Sequence, residues 1–458
     1  MGVVGQRSAE VSSAAQPRIF DAEHRRVTIG IVAMILLVAF EAMAVATAMP
    51  VAARELDGLA LYPWAFTAFL LASLFATVAA GELTDRYGPA RPLLGAIAVF
   101  VLGLVAAGAA TNMYLFIAGR LIQGLGGGAA IVAVYVVVAR VFPESMRPRV
   151  FAAMSGAWVL PSIIGPLAAG LVTEHLTWRL VFLGLVPLAV VPALLTMPAV
   201  RHLRHEPTTR SGGRAALAVG IAVAAASLQY AGQNPGLTAL AATAIGVPLL
   251  AYTLPRVLPP GALRLRRGLP TVVVMRGVLA GAFFGVETFV PLMLVTHRGL
   301  SPTLAGVTLT GGALGWSAAS WWQGRPAMRT PRHLVIRVAS CLVTGGLAMA
   351  ACTVFVAVPV WVGAVGWTVA GMGMGAAFSS ISVLLFELSP VSEQGANSAA
   401  VQLSDGLGCV AAIGLGGVAY AALRPTAGGT ELFGSVFAIM VAIGAAGVLV
   451  AGRIRTAR

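Results

Sequence analysis

The chain has 458 residues, of which 58% are hydrophobic and only 10% are charged, and its formal net charge is +14. A soluble domain averages about 25% charged residues, so this composition excludes an ordinary globular protein. Many apolar runs reach the ~20 residues that a helix needs to cross a bilayer. Because the short alternating strands of a membrane barrel are not seen, the sequence predicts an all-α integral membrane protein.

The predicted elements begin with a polar tail, residues 1–26, which we expect to be cytoplasmic. The first apolar run, 27–49, is too long for a signal-peptide core and is taken as a membrane span. Five further runs complete a predicted N-terminal bundle over 27–198, at 62–82, 91–110, 114–139, 150–173 and 178–198.

An arginine-rich loop, 199–214, then leads to two Ala/Gly-rich runs within 215–255, at 215–231 and 237–255. A second loop, 256–269, precedes a predicted C-terminal bundle over 270–452, and residues 453–458 form a short tail. The six spans of this bundle are predicted at 270–295, 303–322, 335–354, 358–386, 396–422 and 431–452. The prediction is therefore fourteen spans, of which 215–231 is the shortest.

The distribution of arginine predicts how these spans are oriented. Twenty-four arginines fall in the tails and in the loops on the side of the chain ends, whereas the opposite side has only Arg54, Arg179, Arg298 and Arg424. Cytoplasmic loops hold the excess of basic residues, so both chain ends are predicted to be cytoplasmic. This pattern does not separate fourteen spans from twelve, because removing the middle pair leaves the direction of the other spans unchanged.

Composition also excludes several classes of function. All 30 basic residues are arginine, so the chain cannot supply the lysine of a P-loop or of a Schiff base. The arginines are spread over loops and form no compact basic face, so nucleic-acid binding is not predicted. Cysteines and histidines form no pattern typical of a metal or disulfide site, so no metal and no cofactor are expected.

A loop motif indicates a family. The segment GELTDRYGPAR, residues 81–91, resembles the loop signature of the major facilitator superfamily, although Pro89 and Ala90 depart from its usual basic residues. The matching positions are Gly81, Leu83, Asp85, Arg86, Gly88 and Arg91. The resemblance implies that Asp85 acts as a conformational latch against the start of the 396–422 helix, whose positive dipole end favours an anion, with Arg140 as a further partner.

Two later segments also resemble motifs of this superfamily. In LFIAGRLIQGLGGGAA, residues 115–130, Arg120, Gln123 and Gly124 match the fourth-span motif. The glycines indicate close helix packing rather than a dinucleotide site. The segment GAWVLPSIIGPLAAG, residues 156–170, is similar to the fifth-span motif of antiporters. Its matching residues are Gly165, Pro166 and Gly170, while Pro161 and Ala169 replace glycines.

The central pair of spans and the junction VPLMLVTHRGLSPTLAG, residues 290–306, resemble the fourteen-span drug:proton antiporter branch of that superfamily. This resemblance implies two six-helix bundles with two additional central helices. In the first span, Glu41 occupies the branch's acidic position and Pro50 is retained, but Met43 and Ala46 replace a polar pair. The substrate contacts are therefore expected to differ from those of the branch.

Glu41 is the main candidate for function, because an ionisable side chain deep in a span is expensive to keep there. At ~1.5 Å per residue it lies ~21 Å along its span, at a depth similar to that of Arg120. One interpretation is a structural ion pair between these two residues. The other is that Glu41 binds either a proton or a cationic substrate, since burial disfavours its charged form and Arg120 favours it.

Other candidates rank lower. Glu287 is predicted either as a second proton or cation site or as a satisfied polar contact, and Asp405 as part of a gate or of the pocket. Arg276 is expected to extend to the membrane surface. Five aromatic residues are candidates for lining an apolar cavity, with core or lipid packing as the alternative: Phe40, Trp158, Phe283, Phe284 and Trp316.

The sequence thus predicts a proton-coupled exporter of lipophilic, cationic small molecules such as drugs or antibiotics, rather than an enzyme. Export of a lipid or another specific metabolite is the alternative, and a channel or membrane sensor is a third. The expected partners are the substrate, protons and the bilayer, with the protein as a monomer. Abundant Ala, Gly and Val with arginine in place of lysine favour a GC-rich bacterium, and hence its plasma membrane.

Overall fold

The computed structural model describes residues 19–22, 24–201, 213–234, 236–323, 330–390 and 393–455. Within these ranges the regular elements are helices, without a strand. This confirms the predicted all-α class. Most of the predicted 1–26 tail and 199–214 loop lies outside the described residues, as does the end of the 453–458 tail.

The first half of the chain forms eight helices. The first four correspond to the first four predicted spans: α1 Arg25–Glu55, α2 Trp64–Tyr87, α3 Ala90–Gly108 and α4 Met113–Val141. The next four are shorter: α5 Arg147–Gly156, α6 Val159–His175, α7 Arg179–Leu183 and α8 Leu185–Val200. The predicted fifth and sixth spans are therefore each interrupted.

Proline explains both interruptions. A proline cannot donate a hydrogen bond to the carbonyl four residues before it, and its ring clashes with that carbonyl. Ala157 lies in the gap between α5 and α6, and Pro161, four residues later, is in the first turn of α6. Leu183 is the last residue of α7, and Pro187, four residues later, is in the first turn of α8. Each pair of helices nevertheless forms one segment that is long and apolar enough to cross a membrane, at Arg149–His175 and Arg179–Val200.

The remaining helices follow the predicted pattern. Two central helices are α9 Gly213–Gln233 and α10 Leu237–Val257. The second half consists of α11 Leu269–Thr296, α12 Pro302–Gln323, α13 Arg332–Cys352, α14 Val360–Leu388, α15 Gln394–Leu423 and α16 Gly429–Val450.

Among the described residues, thirteen segments are long and apolar enough to cross a membrane. They include α9, from Ala216 to Gln233, which is the shortest of the predicted spans. Helix α12 has 22 residues but is not one of the thirteen. Its sequence contains several hydroxyl side chains and glycines. The chain is a multi-pass membrane protein with thirteen or fourteen candidate spans, and the exact number stays a prediction.

The two halves pack through a small set of helices. Helix α6 packs against α12, α2 against α15, and α1 against α11, whereas α9 and α10 pack mainly on each other. Helix α9 also contacts both α2 and α15, so the central pair lies against the junction of the halves. Large buried aromatic residues fill each half, such as Phe116 beside Phe182 in the first (5.3 Å between ring centroids) and Phe437 in the second.

Glycines allow these helices to approach closely. A Cβ atom on Gly124 or Gly128 would collide with backbone atoms of α2, and one on Gly126 would collide with α3. Small residues have this role in many membrane helices, because lipid provides no hydrophobic force to hold two apolar helices together. The glycine run of α4 is thus a packing surface, which confirms the structural interpretation of that motif.

Two hydrogen bonds between described residues join the halves at one end of the bundle. We call the end that carries Arg25 and Arg453 the terminal end, and the opposite one the far end. At the far end, the Tyr62 hydroxyl donates a hydrogen bond to the Thr288 carbonyl (2.8 Å). There the Glu174 carboxylate also accepts one from the Thr303 amide (3.2 Å). The two halves are therefore joined at the far end.

Candidate functional site

The central feature of the first half is a buried ion pair between Glu41 of α1 and Arg120 of α4. Their side chains are only 1% and 3% exposed, and the Arg120 Nη1 atom donates to the Glu41 Oε1 atom. The depth counted along the sequence placed the two residues level with each other, and the structure brings them into direct contact. In this conformation the pair is enclosed by the helices of the first half and does not face lipid.

Arg120 is held by three further contacts. Its Nε donates to the Ala65 carbonyl of α2 (2.9 Å), and its Nη1 also donates to Gln123 Oε1 one turn further along α4 (2.7 Å). The guanidinium lies over the Phe69 ring, 4.5 Å from its centroid. Such contacts fix the planar cation in one orientation.

Two polar atoms of this network have no hydrogen-bond partner among the described residues. They are the second carboxylate oxygen of Glu41, Oε2, and the amide nitrogen of Gln123, Nε2. A buried polar atom without a partner costs about 1–3 kcal/mol. An acceptor on Glu41 and a donor on Gln123 are thus left without partners in the same network.

The second half contains a corresponding pair, Arg276 of α11 and Asp405 of α15. The Arg276 Nε donates to Asp405 Oδ1 at 3.1 Å, and the two side chains are 13% and 23% exposed. The Arg276 guanidinium also lies over the Phe378 ring, 3.1 Å from its centroid. The prediction that Arg276 extends to the membrane surface is therefore wrong, because this partner on another helix draws it inward.

Glu287 differs from the other carboxylates in the membrane region. It is half-buried on α11, and it makes no hydrogen bond or ion pair with any described residue. At ~1.5 Å per residue Glu287 lies ~27 Å along α11, a depth close to the ~24 Å of Glu41 along α1.

Aromatic side chains form a continuous wall beside Glu287. Phe283 stacks on Trp367 with their ring centroids 4.3 Å apart, and it meets the edge of Trp316 at 5.8 Å. The ring centroids of Phe284 and Trp316 are 6.3 Å apart, and Trp316 in turn contacts Phe378. Phe283 and Phe284 precede Glu287 by one helical turn and hence lie on the same face of α11.

The other two aromatic candidates are not part of this wall. Phe40 is half-buried on α1 and packs against the core of the protein. Trp158 lies in the interruption between α5 and α6, and 39% of its side chain is exposed. Of the five predicted aromatic residues, the structure therefore brings together Phe283, Phe284 and Trp316.

The loop motif forms the turn between α2 and α3. Gly88 has a φ of +73°, which glycine adopts without strain, whereas a Cβ on Gly81 would meet no atom within 4 Å. Arg86 is exposed beside the Tyr87 ring, and Arg91 and Arg140 are exposed as well. Asp85 belongs to α2, but its side chain and that of Ala396 lie outside the described part of the structure, so the predicted latch stays a prediction.

The antiporter-like motif lies where the two halves meet. A Cβ on Gly165 would lie 3.1 Å from the Met43 Cβ atom of α1, and one on Gly170 would lie 2.7 Å from the Thr303 Cα atom of α12. Gly306 of α12 packs against the Pro166 carbonyl, and Thr310 Oγ1 lies 3.4 Å from the Ile163 carbonyl. The motif thus provides a close contact between α6 and α12.

Sequence reasoning missed several residues of these sites. Tyr62 is fully buried and joins the two halves. Nothing in the sequence indicates this contact, because the partner of Tyr62 is a backbone carbonyl of a distant helix. Trp367 and Phe378 were not proposed either. They are eleven residues apart, close to three helical turns, so their shared face on α14 could have been read from the spacing.

A comparison with protein families matches residues 31–412 to the Major Facilitator Superfamily model. Three curated relatives each share 30% identity with the chain. An uncharacterized MFS-type transporter of Mycobacterium tuberculosis aligns over 64% of this chain and 44% of its own length. The MFS-type transporter of the acurin A biosynthesis cluster of Aspergillus aculeatus aligns over 59% and 52%, and an MFS efflux transporter of Aspergillus oryzae over 58% and 51%. The chain therefore spans about half the length of these relatives.

Solved structures share the same fold. An auto-inhibited peptide transporter of the POT family superposes with a TM-score of 0.69 at 15% identity, covering 94% of this chain and 98% of its own. A D-xylose-proton symporter gives 0.67 at 15% identity, covering 95% and 98%. At this level of identity the likeness shows the fold alone. The family model covers most of the chain, and its relatives are transporters rather than enzymes, so the chain belongs to the Major Facilitator Superfamily.

Proposed function

We propose that the protein is a proton-coupled secondary exporter of lipophilic, cationic small molecules, and that Glu41 is its principal proton site. The observation that carries this proposal is the buried Glu41–Arg120 pair, in which one carboxylate oxygen has no partner among the residues that the structure describes. A purely structural pair would be expected to have all of its polar atoms satisfied, because each unsatisfied atom costs stability.

The pair can couple protonation to movement. With Glu41 charged, its attraction to Arg120 holds α1 against α4. With Glu41 protonated, that attraction is lost, while Arg120 keeps its bonds to the Ala65 carbonyl and to Gln123. The α1 helix contacts the second half through α11 and α12, so a shift of α1 would be transmitted across the junction. This is the kind of two-state element that alternating access requires.

The contacts of the halves support one direction of opening. They are joined at the far end by Tyr62 with Thr288 and by Glu174 with Thr303. If both chain ends are cytoplasmic, as the arginine distribution predicts, these contacts close the outer side of the junction between the halves. Inward proton flow, worth ~2.3 kcal/mol per charge per 100 mV, would then drive export without ATP.

The substrate class follows from the surroundings of Glu287. A half-buried carboxylate with no described counter-ion is left one helical turn after Phe284, whose ring centroid lies 6.3 Å from that of Trp316. Aromatic faces and a carboxylate together attract organic cations, because the face of an aromatic ring carries partial negative charge. Glu41 is enclosed in this conformation, so we assign the proton to Glu41 and the cationic substrate to Glu287.

The alternative is export of one specific metabolite. It is favoured by the name of the Aspergillus aculeatus relative, which places that transporter in a biosynthetic cluster. Transport of many different cations by this protein would support the first proposal. Transport of none of them would favour the alternative.

The test uses proteoliposomes that contain the purified protein and a fluorescent lipophilic cation, with an imposed pH difference. We expect the wild-type protein to move the cation against its gradient only while the pH difference lasts. Glu41→Gln should reduce this coupled transport at least about tenfold, because it removes the titratable group but keeps its size and hydrogen-bonding shape.

The matched control is Glu431→Gln, since Glu431 is an exposed carboxylate at the start of α16. This variant should transport like the wild-type protein. Coupled transport that persists undiminished in Glu41→Gln would reject the assignment of the proton site, and wild-type transport that ignores the pH difference would reject proton coupling altogether.

A further inference from the structure

A large apolar cleft separates the central helix pair from the second half. It has a volume of about 710 Å³ and lies between α9 and α10 on one side and α11 and α15 on the other. Its walls are almost entirely aliphatic, for example Leu228, Leu250 and Leu254 on the central pair and Val278, Leu407 and Ala411 opposite. The volume is within the ~300–1,000 Å³ of typical ligand sites. Neither Arg276 nor Asp405 lines the cleft, although their chain neighbours Gly277 and Ser404 do.

The length of the cleft fits a lipid tail. On α15 its lining runs from Ser404 to Val418. At ~1.5 Å per residue this is ~21 Å, which is longer than the depth of one leaflet, about half of the ~30 Å hydrocarbon core. Only two polar side chains, Gln229 and Ser404, line it, and the Gln229 amide nitrogen is already bonded to Thr67 Oγ1 (2.9 Å).

The terminal end of the cleft is strongly basic. The turn that closes it contributes Ala262, Leu263 and Leu265 to the lining. The same turn carries three exposed arginines, Arg264, Arg266 and Arg267, and no described carboxylate forms an ion pair with them. The Gly268 amide donates to the Arg453 carbonyl (3.0 Å), which brings a fourth exposed arginine to this turn.

We propose that this cleft binds an anionic phospholipid, with an acyl chain between the central pair and the second half and with its phosphate at the arginines of the 264–267 turn. An aliphatic cleft at least as long as one leaflet is deep selects an alkyl chain, and a group of arginines at its mouth selects a negative headgroup. The central pair would then contact the second half through lipid as well as through protein. Neither the family assignment nor the proposed transport supplies this site.

The test reconstitutes the full-length protein in nanodiscs that contain equal amounts of phosphatidylglycerol and phosphatidylethanolamine. After transfer to mild detergent, the lipids that stay bound are counted by native mass spectrometry. The wild-type protein should retain phosphatidylglycerol in preference to phosphatidylethanolamine. Arg266→Gln/Arg267→Gln should lower that retention about tenfold or more, since each arginine near the headgroup contributes to it.

A second variant tests the apolar part of the site. Ala411 is exposed and lines the cleft, so Ala411→Trp should fill it and expel the lipid even though the arginines remain. Two matched controls should retain lipid like the wild-type protein. They are Arg25→Gln/Arg26→Gln, which removes two exposed arginines at the same end of the bundle, and Ala244→Trp, on an exposed position of α10 outside the cleft.

Three results would overturn the proposal. The first is equal retention of the two lipids by the wild-type protein, which would exclude an anionic headgroup site. The second is unchanged retention in Ala411→Trp, which would place the lipid outside the cleft. The third is a loss of lipid retention in Arg266→Gln/Arg267→Gln that is no larger than the loss in Arg25→Gln/Arg26→Gln. The retention would then depend on the net charge of the protein and not on the arginines at the cleft. Circular dichroism of each variant shows that a loss of lipid is not a loss of fold.

Discussion

Arg276 of α11 forms an ion pair with Asp405 of α15, with 3.1 Å between Nε and Oδ1. Together with the Glu41–Arg120 pair, it means that each half of the protein contains a carboxylate–guanidinium contact between two of its helices. The two pairs differ in depth: the Asp405 pair lies closer to the terminal end and is partly exposed, whereas the Glu41 pair is closed to solvent.

The Asp405 pair should contribute to stability. Asp405→Asn leaves the Arg276 charge without its partner in a site that is only 13% exposed. Breaking a fully buried pair costs about 3–5 kcal/mol, and partial exposure lowers this to roughly 2 kcal/mol here. We expect a lower melting temperature in detergent. The control is Glu144→Gln, which removes a carboxylate that is 91% exposed beside Arg147, and equal melting of the two variants would contradict the prediction.

The Glu41–Arg120 contact should show strong coupling in a double-mutant cycle. Glu41→Gln and Arg120→Gln each leave a polar or charged group buried alone, whereas the double variant removes both charges. We expect the two single losses to exceed the loss in the double variant by about 1–3 kcal/mol in the free energy of unfolding. Additive losses, measured by denaturant unfolding in detergent, would show that the two charges do not interact.

The contact of α6 with α12 should hold the two halves together at the far end. In Gly170→Ala the new Cβ atom would lie 2.7 Å from the Thr303 Cα atom, so the helices must separate. We expect the halves to move apart there. Spin labels at Thr111→Cys and Thr426→Cys, in a background without the native cysteines, should report a longer or broader distance.

The control for this change is Gly434→Ala. A Cβ on Gly434 of α16 would meet no atom within 4 Å, so the same substitution should leave the label distance unchanged. If Gly170→Ala also left it unchanged, the far end would be closed by other contacts, such as the Tyr62–Thr288 hydrogen bond.

Arg298 should stabilise the turn between α13 and α14. Its guanidinium donates to the carbonyls of Thr353 (2.7 Å), Phe355 (2.9 Å) and Val358 (3.0 Å). Hydrogen bonds from a charged donor are worth about 1.5–3 kcal/mol, less when partly exposed, so Arg298→Gln should cost roughly 2 kcal/mol. Thermal unfolding measures the loss. Arg424→Gln, at an exposed arginine of the same end, is the control, and an equal effect in both variants would refute the role of these bonds.

Much of this protein could be predicted from its sequence. The helical membrane class and the family were predicted from apolar runs and loop motifs, and both are confirmed. The ion pair of Glu41 with Arg120 was one of two interpretations of a depth count, and the contact exists. Its use for proton transport stays a prediction. Arg276 was predicted wrongly because its position near a span end says nothing about a carboxylate 129 residues later.

What the sequence determined by itself is the set of helices that can enter the membrane, because hydrophobicity and proline effects act within each segment. What only the tertiary structure decided is which polar side chains meet. Helix rotation and packing bring Glu41 to Arg120, leave Glu287 without a described partner, and open the cleft beside Ala411. These outcomes depend on contacts between distant helices, about which the hydrophobicity of any single helix carries no information.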